Sequence, residues 1–518
     1  MKKNILLTSL LLCLILFWSA CTGKYLDFNT DSTGGATDEE VGRDGYAVNA
    51  TLLGMGDFVV PTAVHLNQFA EVLAGGNLGG YFASINPGFN GNTISTFNHN
   101  DQWTRPAFND VIPQVSIRWN DMRTRTENPV LLAVSDVLRV MAIVRVTDMY
   151  GPIPYSKIGI NGSLTAPYDT QEDVYKLMFE QLESAIEVLT ANRTNNFTPL
   201  ADNVFRGNVM NWIRLANSMK LRMALRISNV NATLAQQMAE AAVNHEIGVM
   251  YTNAHNALKP VVATNPIFMQ AHDWSDERVS ADIVSFMNGF NDPRRERFFT
   301  PATFVGGGFI GMRSGVIIPS TGSGTANFSN INITRDTPIM WMNAAEVSFL
   351  KAEGALRGWN MGGSAEGFYN EGIILSFDQW GASGAGQYIL DNTSRPATYS
   401  DPLGSFSATS PASHITIMWD ESATMETNLE RIITQKWIAM FPLGVEAWST
   451  YRRTGFPRLM PAIANNSGGV ITPTTGGARR LPFPQSEYLE NATNMWNAIN
   501  TDLGGQDNMG TNVWWARR

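Results

Sequence analysis

The segment Trp341–Trp359 constrains the fold most, because it combines helical periodicity with many small residues. The apolar residues that share one predicted helix face are Trp341, Ala345, Phe349, Ala352, Leu356 and Trp359. We expect Glu346 and Glu353 on the opposite face, with Glu353 paired to Arg357 at i,i+4. Gly354 costs roughly 1 kcal/mol relative to alanine inside a helix, so a second backbone is expected to approach it closely. The segment predicts a packing helix without chemistry.

Helical periodicity recurs along the chain. Further helices are predicted over 39–73, with an interruption near Gly54 and Gly56, and over 105–125, 128–149, 170–189, 206–229, 232–245, 280–288, 364–380, 427–441 and 446–451. Thr427 and Glu430 form a capping box that would start the penultimate one. Residues after Tyr451 are expected to be extended or coil. Segments 75–100, 306–324 and 381–422 are rich in Gly, Asn, Ser or Thr and predict irregular loops.

These patterns predict a mostly α fold. Its helices would form tetratricopeptide-like pairs, interrupted by long irregular loop-rich insertions, with little β structure. The fixed repeat of about 34 residues is absent, which argues against a plain solenoid.

The N-terminus predicts secretion and lipidation. Lys2 and Lys3 precede an apolar run over 5–18, and the small residue Ala20 precedes Cys21. The apolar run is too short to span a membrane and is typical of a signal peptide. A cysteine directly after a small-residue cleavage site resembles a bacterial lipobox, so Cys21 is the predicted lipidation site. An ordinary cleavage site followed by a chance cysteine is the alternative.

The expected organisation follows from this N-terminus. Residues 1–20 form the signal peptide, 21–38 a lipidated flexible tether, and 39–518 a single domain. The formal net charge is −9, and an acidic surface argues against nucleic-acid binding. The other cysteine, Cys13, leaves with the signal peptide, so neither a disulfide framework nor a thiolate metal site is expected.

Catalytic and cofactor motifs are missing from the sequence. HExxH, GxSxG, GxxxxGK[ST] and a helix-opening GxGxxG do not occur, and the six histidines form no i,i+4 pair. We therefore expect no enzyme activity, no cofactor and no metal site. Two alternatives stay open: a carboxylate pair that meets only in space, and calcium bound by loop oxygens without EF-hand spacing.

The irregular segments carry the residues suited to ligand binding. Aromatic rings offer flat apolar faces to sugar C–H groups, while amides, carboxylates and guanidinium groups bond hydroxyls. The candidate ligand contacts are Tyr81, Phe89, Asn92, Trp103, Arg105, Asp273 and Trp274. Anchoring of a loop against the core is the alternative for each aromatic residue. The tryptophans on helical stripes, predicted to be core, are Trp212, Trp341, Trp359, Trp437 and Trp448.

Five segments in order resemble the SusD/RagB family of outer-membrane lipoproteins from Bacteroidetes. They are DMYGPIPYSKI at Asp148–Ile158, YDTQEDVYKLMFEQL at Tyr168–Leu182, RGNVMNWIRLANSMKLRMALRIS at Arg206–Ser228, AAEVSFLKAEGALRGW at Ala344–Trp359, and ITQKWIAMFPLGVEAWSTYRRTGFPRL at Ile433–Leu459. With the lipobox at Cys21, the resemblance spans nearly the whole mature chain.

The resemblance implies a fold of four tetratricopeptide-like helix pairs carrying an irregular, ligand-facing part. It implies a non-enzymatic lipoprotein, anchored in the outer membrane and exposed at the cell surface, that captures a nutrient, usually an oligosaccharide. The implied partner is a SusC-like TonB-dependent transporter. A surface polysaccharide hydrolase and a binder of a non-glycan nutrient such as peptide remain alternatives. The family's ligand residues follow no fixed motif, so none is carried over.

Overall fold

The computed structural model describes residues 45–158 and 165–517. The predicted signal peptide, Cys21 and the tether lie outside these residues. The described α-helices of nine or more residues are α1 Tyr46–Gly56, α2 Val111–Arg125, α3 Pro129–Tyr150, α4 Gln171–Ala191, α5 Val209–Arg226, α6 Ala232–Val243, α7 Ala281–Gly289, α8 Ala344–Leu356, α9 Ala365–Gln379, α10 Met425–Ala439, α11 Gly444–Thr454 and α12 Ala492–Thr501.

Successive long helices pack on one another as tetratricopeptide-like pairs do. Helix α3 packs on α4, α5 on α6, and α8 on both α9 and α10. Contacts of α5 with α8, and of α3 with α11, join these groups around one large hydrophobic core. The predicted fold class, mostly α with paired helices and long irregular insertions, is confirmed. Across the described ranges, no helix is both long and apolar enough to traverse a bilayer.

Shorter elements line the irregular part. The short α-helices are Val64–Asn67, Asp101–Thr104, Pro106–Asn109, Pro266–Phe268, Arg295–Phe298, Ala385–Ile389 and Gln485–Glu490. Two π-helices, Gln68–Gly76 and Met269–Asp273, continue from Val64–Asn67 and Pro266–Phe268. The 3-10 turns are Pro87–Phe89, Ile94–Thr96, Pro199–Ala201, Asn253–His255, Thr325–Asn327 and Trp514–Ala516.

The described strands are short and form two antiparallel pairs. They are β1 Phe82–Ser84, β2 Ala257–Lys259, β3 Glu277–Val279 and β4 Ile339–Met342. In the first pair Phe82 lies opposite Val279. In the second pair Ala257 lies opposite Met342. The predicted helix over 341–359 is therefore wrong at its start: Trp341 belongs to β4, and α8 begins at Ala344 after its N-cap Asn343.

Side-chain caps fix where several helices begin. The Thr170 hydroxyl accepts the Asp173 amide hydrogen at the start of α4, where the predicted helix over 170–189 begins. The predicted capping box at Thr427 is wrong, because Thr424 is the cap: its hydroxyl accepts the amide hydrogen of Thr427, and α10 begins one residue after Thr424.

Two further predicted segments can be compared with the structure. The expected interruption of the helix over 39–73 near Gly54 and Gly56 is present, because α1 ends at Gly56 and a turn separates it from helix 64–76. The expected coil after Tyr451 contains Gln485–Glu490 and α12. Helix 64–76 packs so closely on α11 that a Cβ at Gly75 would lie 2.3 Å from the backbone nitrogen of Val445.

The acidic residues of α8 were expected opposite its apolar stripe, and the structure shows that they are buried. Glu346 accepts two hydrogen bonds from Arg222, at 2.8 and 2.6 Å. Glu353 accepts two from Arg453, both at 2.6 Å, and also forms the predicted pair with Arg357. Burial by itself would raise the pKa of Glu353, but the two guanidinium groups outweigh it and lower the pKa to about 2.

Further buried charges extend this network between helices. Glu446 of α11 accepts from Arg226 of α5 at 2.5 Å and from Lys436 of α10 at 3.2 Å. Arg226 also pairs with Asp148 of α3 at 3.2 Å. Burial opposes ionisation of Glu446, but the neighbouring cations hold its pKa below the ordinary value. We call Asp148, Arg222, Arg226, Glu346, Glu353, Lys436, Glu446 and Arg453 the buried ionic network. It joins five long helices inside the core.

Candidate functional site

Helix 64–76 connects two groups of predicted ligand residues. Its Leu66, Ala70 and Leu73 are buried, whereas His65 is exposed and Phe69 half-buried. The ring of His65 stacks on Trp274, with the centroids 5.3 Å apart and the planes 24° apart. Phe69 lies four residues further, on the same side of the helix, and its ring centroid is 5.9 Å from that of Trp103.

Trp103 also packs on the loop that carries Phe89. The two rings meet edge to face with centroids 4.9 Å apart, a favourable arrangement for aromatic pairs. Phe89 ends the turn Pro87–Phe89, whose cap is the Asn86 side chain, which accepts the Gly88 amide hydrogen at 2.9 Å. We call His65, Phe69, Phe89, Trp103 and Trp274 the aromatic face.

A buried carboxylate holds the parts of this face together. Asp276 accepts from Gln68 of helix 64–76 at 3.1 Å and from Asn86 of the Phe89 loop at 2.8 Å. Burial raises the pKa of Asp276, and these two hydrogen bonds act against the rise. Because Asp276 lies two residues after Trp274, it fixes the Trp274 turn, the helix and the Phe89 loop relative to one another.

Trp274 is presented outward by an unusual turn. Its side chain is 38% exposed, while its backbone amide donates to the Met269 carbonyl at 2.9 Å. Ser275 next to it adopts a φ of +55°, which is uncommon outside glycine and often marks a functional site. The turn therefore holds a large ring in solvent at a fixed position.

A polar cluster extends the face beyond Trp274. Asp273 accepts two hydrogen bonds from Arg335, at 2.7 and 2.9 Å. The Arg335 guanidinium lies 4.8 Å from the ring centroid of Phe268, which in turn stacks on His272 at 4.5 Å. Burial lowers the pKa of His272, so this ring is neutral near pH 7 and donates to the Ile331 carbonyl at 2.9 Å. The cluster offers paired donors and acceptors beside flat rings.

A second buried carboxyl lies beneath the face, in β3. Glu277 is 1% exposed and contacts the hydroxyl of Ser84 in β1 at 3.0 and 3.2 Å. Burial raises its pKa to about 8, so the group is protonated at neutral pH. A neutral carboxyl can donate a hydrogen bond, and here it supports the β1–β3 pair under the Trp274 turn.

The predicted ligand residues fall into three groups. Phe89, Trp103 and Trp274 belong to the aromatic face, and Asp273 adjoins it. Tyr81 does not: it is fully buried, and its hydroxyl donates to the Trp437 carbonyl, so we correct it to a core residue.

Asn92 and Arg105 lie at the edge of the face. The side-chain oxygen of Asn92 accepts a hydrogen bond from the side-chain amide of Asn100 at 2.6 Å. Arg105 is half exposed and pairs with Asp101 at 3.3 Å, and Asp101 also accepts the Gln485 amide hydrogen. The Arg105 side chain is thus directed toward the C-terminal part of the chain.

His65, Phe69, Phe268 and Arg335 escaped the sequence reasoning. The missed signal was the i,i+4 pair of rings at His65 and Phe69, outside the apolar stripe of their helix. Of the predicted core tryptophans, Trp359 is half-buried and the other four are buried. Among the described residues no group of three or more His, Cys, Asp or Glu could hold a metal ion.

Solved structures resemble the chain closely. A SusD homologue from Bacteroides uniformis is 45% identical, with a TM-score of 0.88, over 92% of this chain and all of that one. One from Bacteroides thetaiotaomicron is 42% identical, with a TM-score of 0.86, over 92% of this chain and all of that one. A chitin-binding SusD homologue from Flavobacterium johnsoniae is 38% identical, with a TM-score of 0.88, over 91% of this chain and 99% of that one.

The family comparison covers nearly the same range. No curated protein matches the chain, but the model of the SusD-like family, SusD and RagB outer membrane lipoproteins, matches residues 27–516. That match supports an outer-membrane location. The paired helices, the irregular insertions and these similarities together place the chain in the SusD-like family of outer-membrane lipoproteins.

Proposed function

We propose that this protein is a lipid-anchored, surface-exposed binder of an oligosaccharide and that the aromatic face is its binding site. The observation that carries the proposal is the fixed, outward-facing ring of Trp274, continued by His65, Phe69, Trp103 and Phe89. Trp274 is the exposed large ring and can offer an apolar plane to the C–H face of a sugar. Phe69, Phe89 and Trp103 are half-buried, pack against the core and border it. Asp273 and Arg335 supply the directional hydrogen bonds that sugar hydroxyls need.

The relatives support a glycan as the ligand class. The homologue from Flavobacterium johnsoniae, similar over nearly its whole length, is a chitin-binding protein. A polymer of neutral sugar rings would suit a face that alternates flat rings with hydrogen-bonding side chains. The function is binding rather than catalysis.

The experiment that tests the site compares two exposed tryptophans. Chain 22–518 would be screened on a glycan array, and the best soluble oligosaccharide titrated by calorimetry. Trp274→Ala should weaken binding about tenfold, equivalent to ~1.4 kcal/mol of lost stacking. Trp496→Ala is the matched control, because Trp496 is 49% exposed and lies on α12, outside the aromatic face. Equal affinities for the parent and Trp274→Ala would remove Trp274 from the site.

We further propose that the bound oligosaccharide passes to a SusC-like TonB-dependent transporter. Family membership and the lipobox at Cys21 support this partner. A pull-down of the full-length lipoprotein from detergent-solubilised outer membranes should recover a barrel of that class. Its absence from the eluate would contradict the transport role, and loss of surface labelling in intact cells would contradict surface exposure.

Two other functions are separated by simple assays. A polysaccharide hydrolase would release new reducing ends when incubated with the best-binding glycan, whereas we expect binding without turnover. A peptide binder would respond to a peptide library and leave the glycan array blank.

A further inference from the structure

A cleft of about 480 Å³ is bordered by Ser95 and Phe97, which follow the Phe89 loop in the chain. Its walls come from residues 77–80, 95–97, 314–315 and 459–478, together with α11. None of its described lining residues belongs to the aromatic face. The volume falls within the roughly 300–1,000 Å³ of typical small-molecule sites. The cleft and the aromatic face are therefore formed by different residues.

Three aromatic rings line this cleft: Phe97, Trp448 and Tyr451. Hydrogen bonds hold two of them in place, since Trp448 Nε1 donates to the Ala478 carbonyl at 3.1 Å and the Tyr451 hydroxyl to Gly476 at 3.4 Å. Trp448 and Phe97 are buried in the cleft wall, so the half-buried Tyr451 offers the most accessible ring. Its fixed position avoids a further ordering cost on binding.

The cleft also holds a hydroxyl that the protein leaves unused. Ser95 is 5% exposed, and what remains accessible of it borders the cleft. Its side chain has no hydrogen-bond partner within residues 45–158 and 165–517. By contrast, the Thr96 hydroxyl and the Asn465 side-chain amide each donate to a backbone carbonyl. A nearly buried hydroxyl gains free energy when a ligand supplies its partner.

The charge of the cleft selects against ionic ligands. Asp282 is the only carboxylate among the described lining residues. It already accepts from the Met460 amide at 2.7 Å and from Ser280 at 3.0 Å. The nearby Arg313 donates to the carbonyls of Met460 and Pro461 instead of entering the cleft. A neutral molecule with several hydroxyls fits this environment better than an anion or a cation.

The backbone at Phe97 is held in a costly conformation. Its φ of +62° lies in the left-handed region, which costs a bulky residue roughly 1–2 kcal/mol. Thr96 next to it is fixed by Asn466, whose backbone amide donates to the Thr96 carbonyl at 2.8 Å. Such strain clusters at ligand sites, and here it brings an aromatic ring to the cleft wall.

We infer that the cleft is a second carbohydrate site, which takes a neutral sugar unit between Tyr451 and Phe97 with a hydroxyl of the sugar bonded to Ser95. The inference rests on the proposed oligosaccharide function. One chain would then hold a glycan at two places, the aromatic face and the cleft.

The test removes the aromatic face first. Chain 22–518 carrying Trp103→Ala and Trp274→Ala would be titrated with maltotriose, cellotriose and N,N′,N″-triacetylchitotriose. At least one trisaccharide should still bind. Adding Ser95→Ala, which deletes a hydroxyl without a protein partner, should weaken that binding about fivefold, and adding Tyr451→Ala more than tenfold.

Tyr451→Phe is the matched control, because it keeps the ring and should retain most of the affinity; thermal unfolding verifies that each variant is folded. Should Tyr451→Ala fail to fold, Ser95→Ala decides. Loss of all binding in the chain without its aromatic face, or binding unaffected by Ser95→Ala, would overturn the second site. In either case the parent chain still binds. Failure of the parent to bind any oligosaccharide would instead overturn the proposed function itself.

Discussion

Replacing Glu353 with glutamine tests whether the buried ionic network stabilises the fold. The side chain is fully buried between Arg453 and Arg357. Its pKa falls from the ordinary 4.5 to about 2, which corresponds to about 3 kcal/mol at pH 7, because each pH unit is worth ~1.36 kcal/mol. Glu353→Gln should lower the free energy of unfolding by about that amount, since it leaves Arg453 without its carboxylate.

The pH dependence gives a second, independent measurement. A carboxyl with a lowered folded pKa stabilises above its unfolded pKa of 4.5, and this stabilisation is lost as the pH falls toward 2. The difference between the parent and Glu353→Gln should therefore shrink by about half at pH 3. Urea unfolding followed by tryptophan fluorescence at pH 7 and pH 3 measures both values.

Two further variants serve as controls for Glu353→Gln. Glu172 pairs with Lys176 at 2.8 Å on exposed positions of α4, so Glu172→Gln should cost less than about 0.5 kcal/mol. Glu353→Met with Arg453→Met should recover most of the loss, because it removes both buried charges. A Glu353→Gln chain within ~0.5 kcal/mol of the parent at pH 7, or an unchanged difference at pH 3, would show that the ion pair does not stabilise.

Four other substitutions have defined outcomes. Glu277→Gln should gain stability over the parent as the pH rises from 4.5 to about 8, because the raised pKa makes burial of the glutamate increasingly costly in that range. The free energies of unfolding of both proteins at pH 5 and pH 8 measure this gain. An equal difference between the two proteins at both pH values would contradict it. Gly75→Ala should lose about 2 kcal/mol or more, since its Cβ would meet the backbone of α11 at 2.3 Å, whereas Gly91→Ala, with open space around it, should change stability by less than ~0.5 kcal/mol. Cys21→Ser should move the chain from the membrane fraction to the soluble fraction, and continued sedimentation with membranes would exclude Cys21 as the anchor.

Local chemistry explains which parts of the fold were predictable. The cap at Thr170 and the apolar stripe behind it are properties of neighbouring residues, so the start of α4 follows from the sequence. Trp341 shows the limit: its apolar spacing continues that of α8, but pairing of β4 with β2, more than eighty positions earlier, makes it a strand residue. Periodicity does not report such distant pairing.

The charges of α8 show the same limit more strongly. Glu346 and Glu353 look like solvent-facing acids because their partners are 124 and 100 residues away. At the site, Trp103 and Trp274 were predicted from their loops. That both contact helix 64–76, through Phe69 and His65, depends on Asp276 and on the tertiary structure. The tertiary structure also buries Tyr81, so this aromatic side chain is not exposed enough to contact a ligand.

The buried ionic network also bears on the order in which parts of the core can form. Arg226 is separated from Glu446 by 220 residues, and Lys436 and Arg453 lie equally late in the sequence. Until that last portion has been synthesised, Arg226 lacks Glu446 and Glu353 lacks Arg453, whereas Arg222 already has Glu346 as its partner. Burying a charge without its full set of partners is unfavourable. Closure of the core around α5 and α8 is therefore less favourable until the C-terminal helices are present.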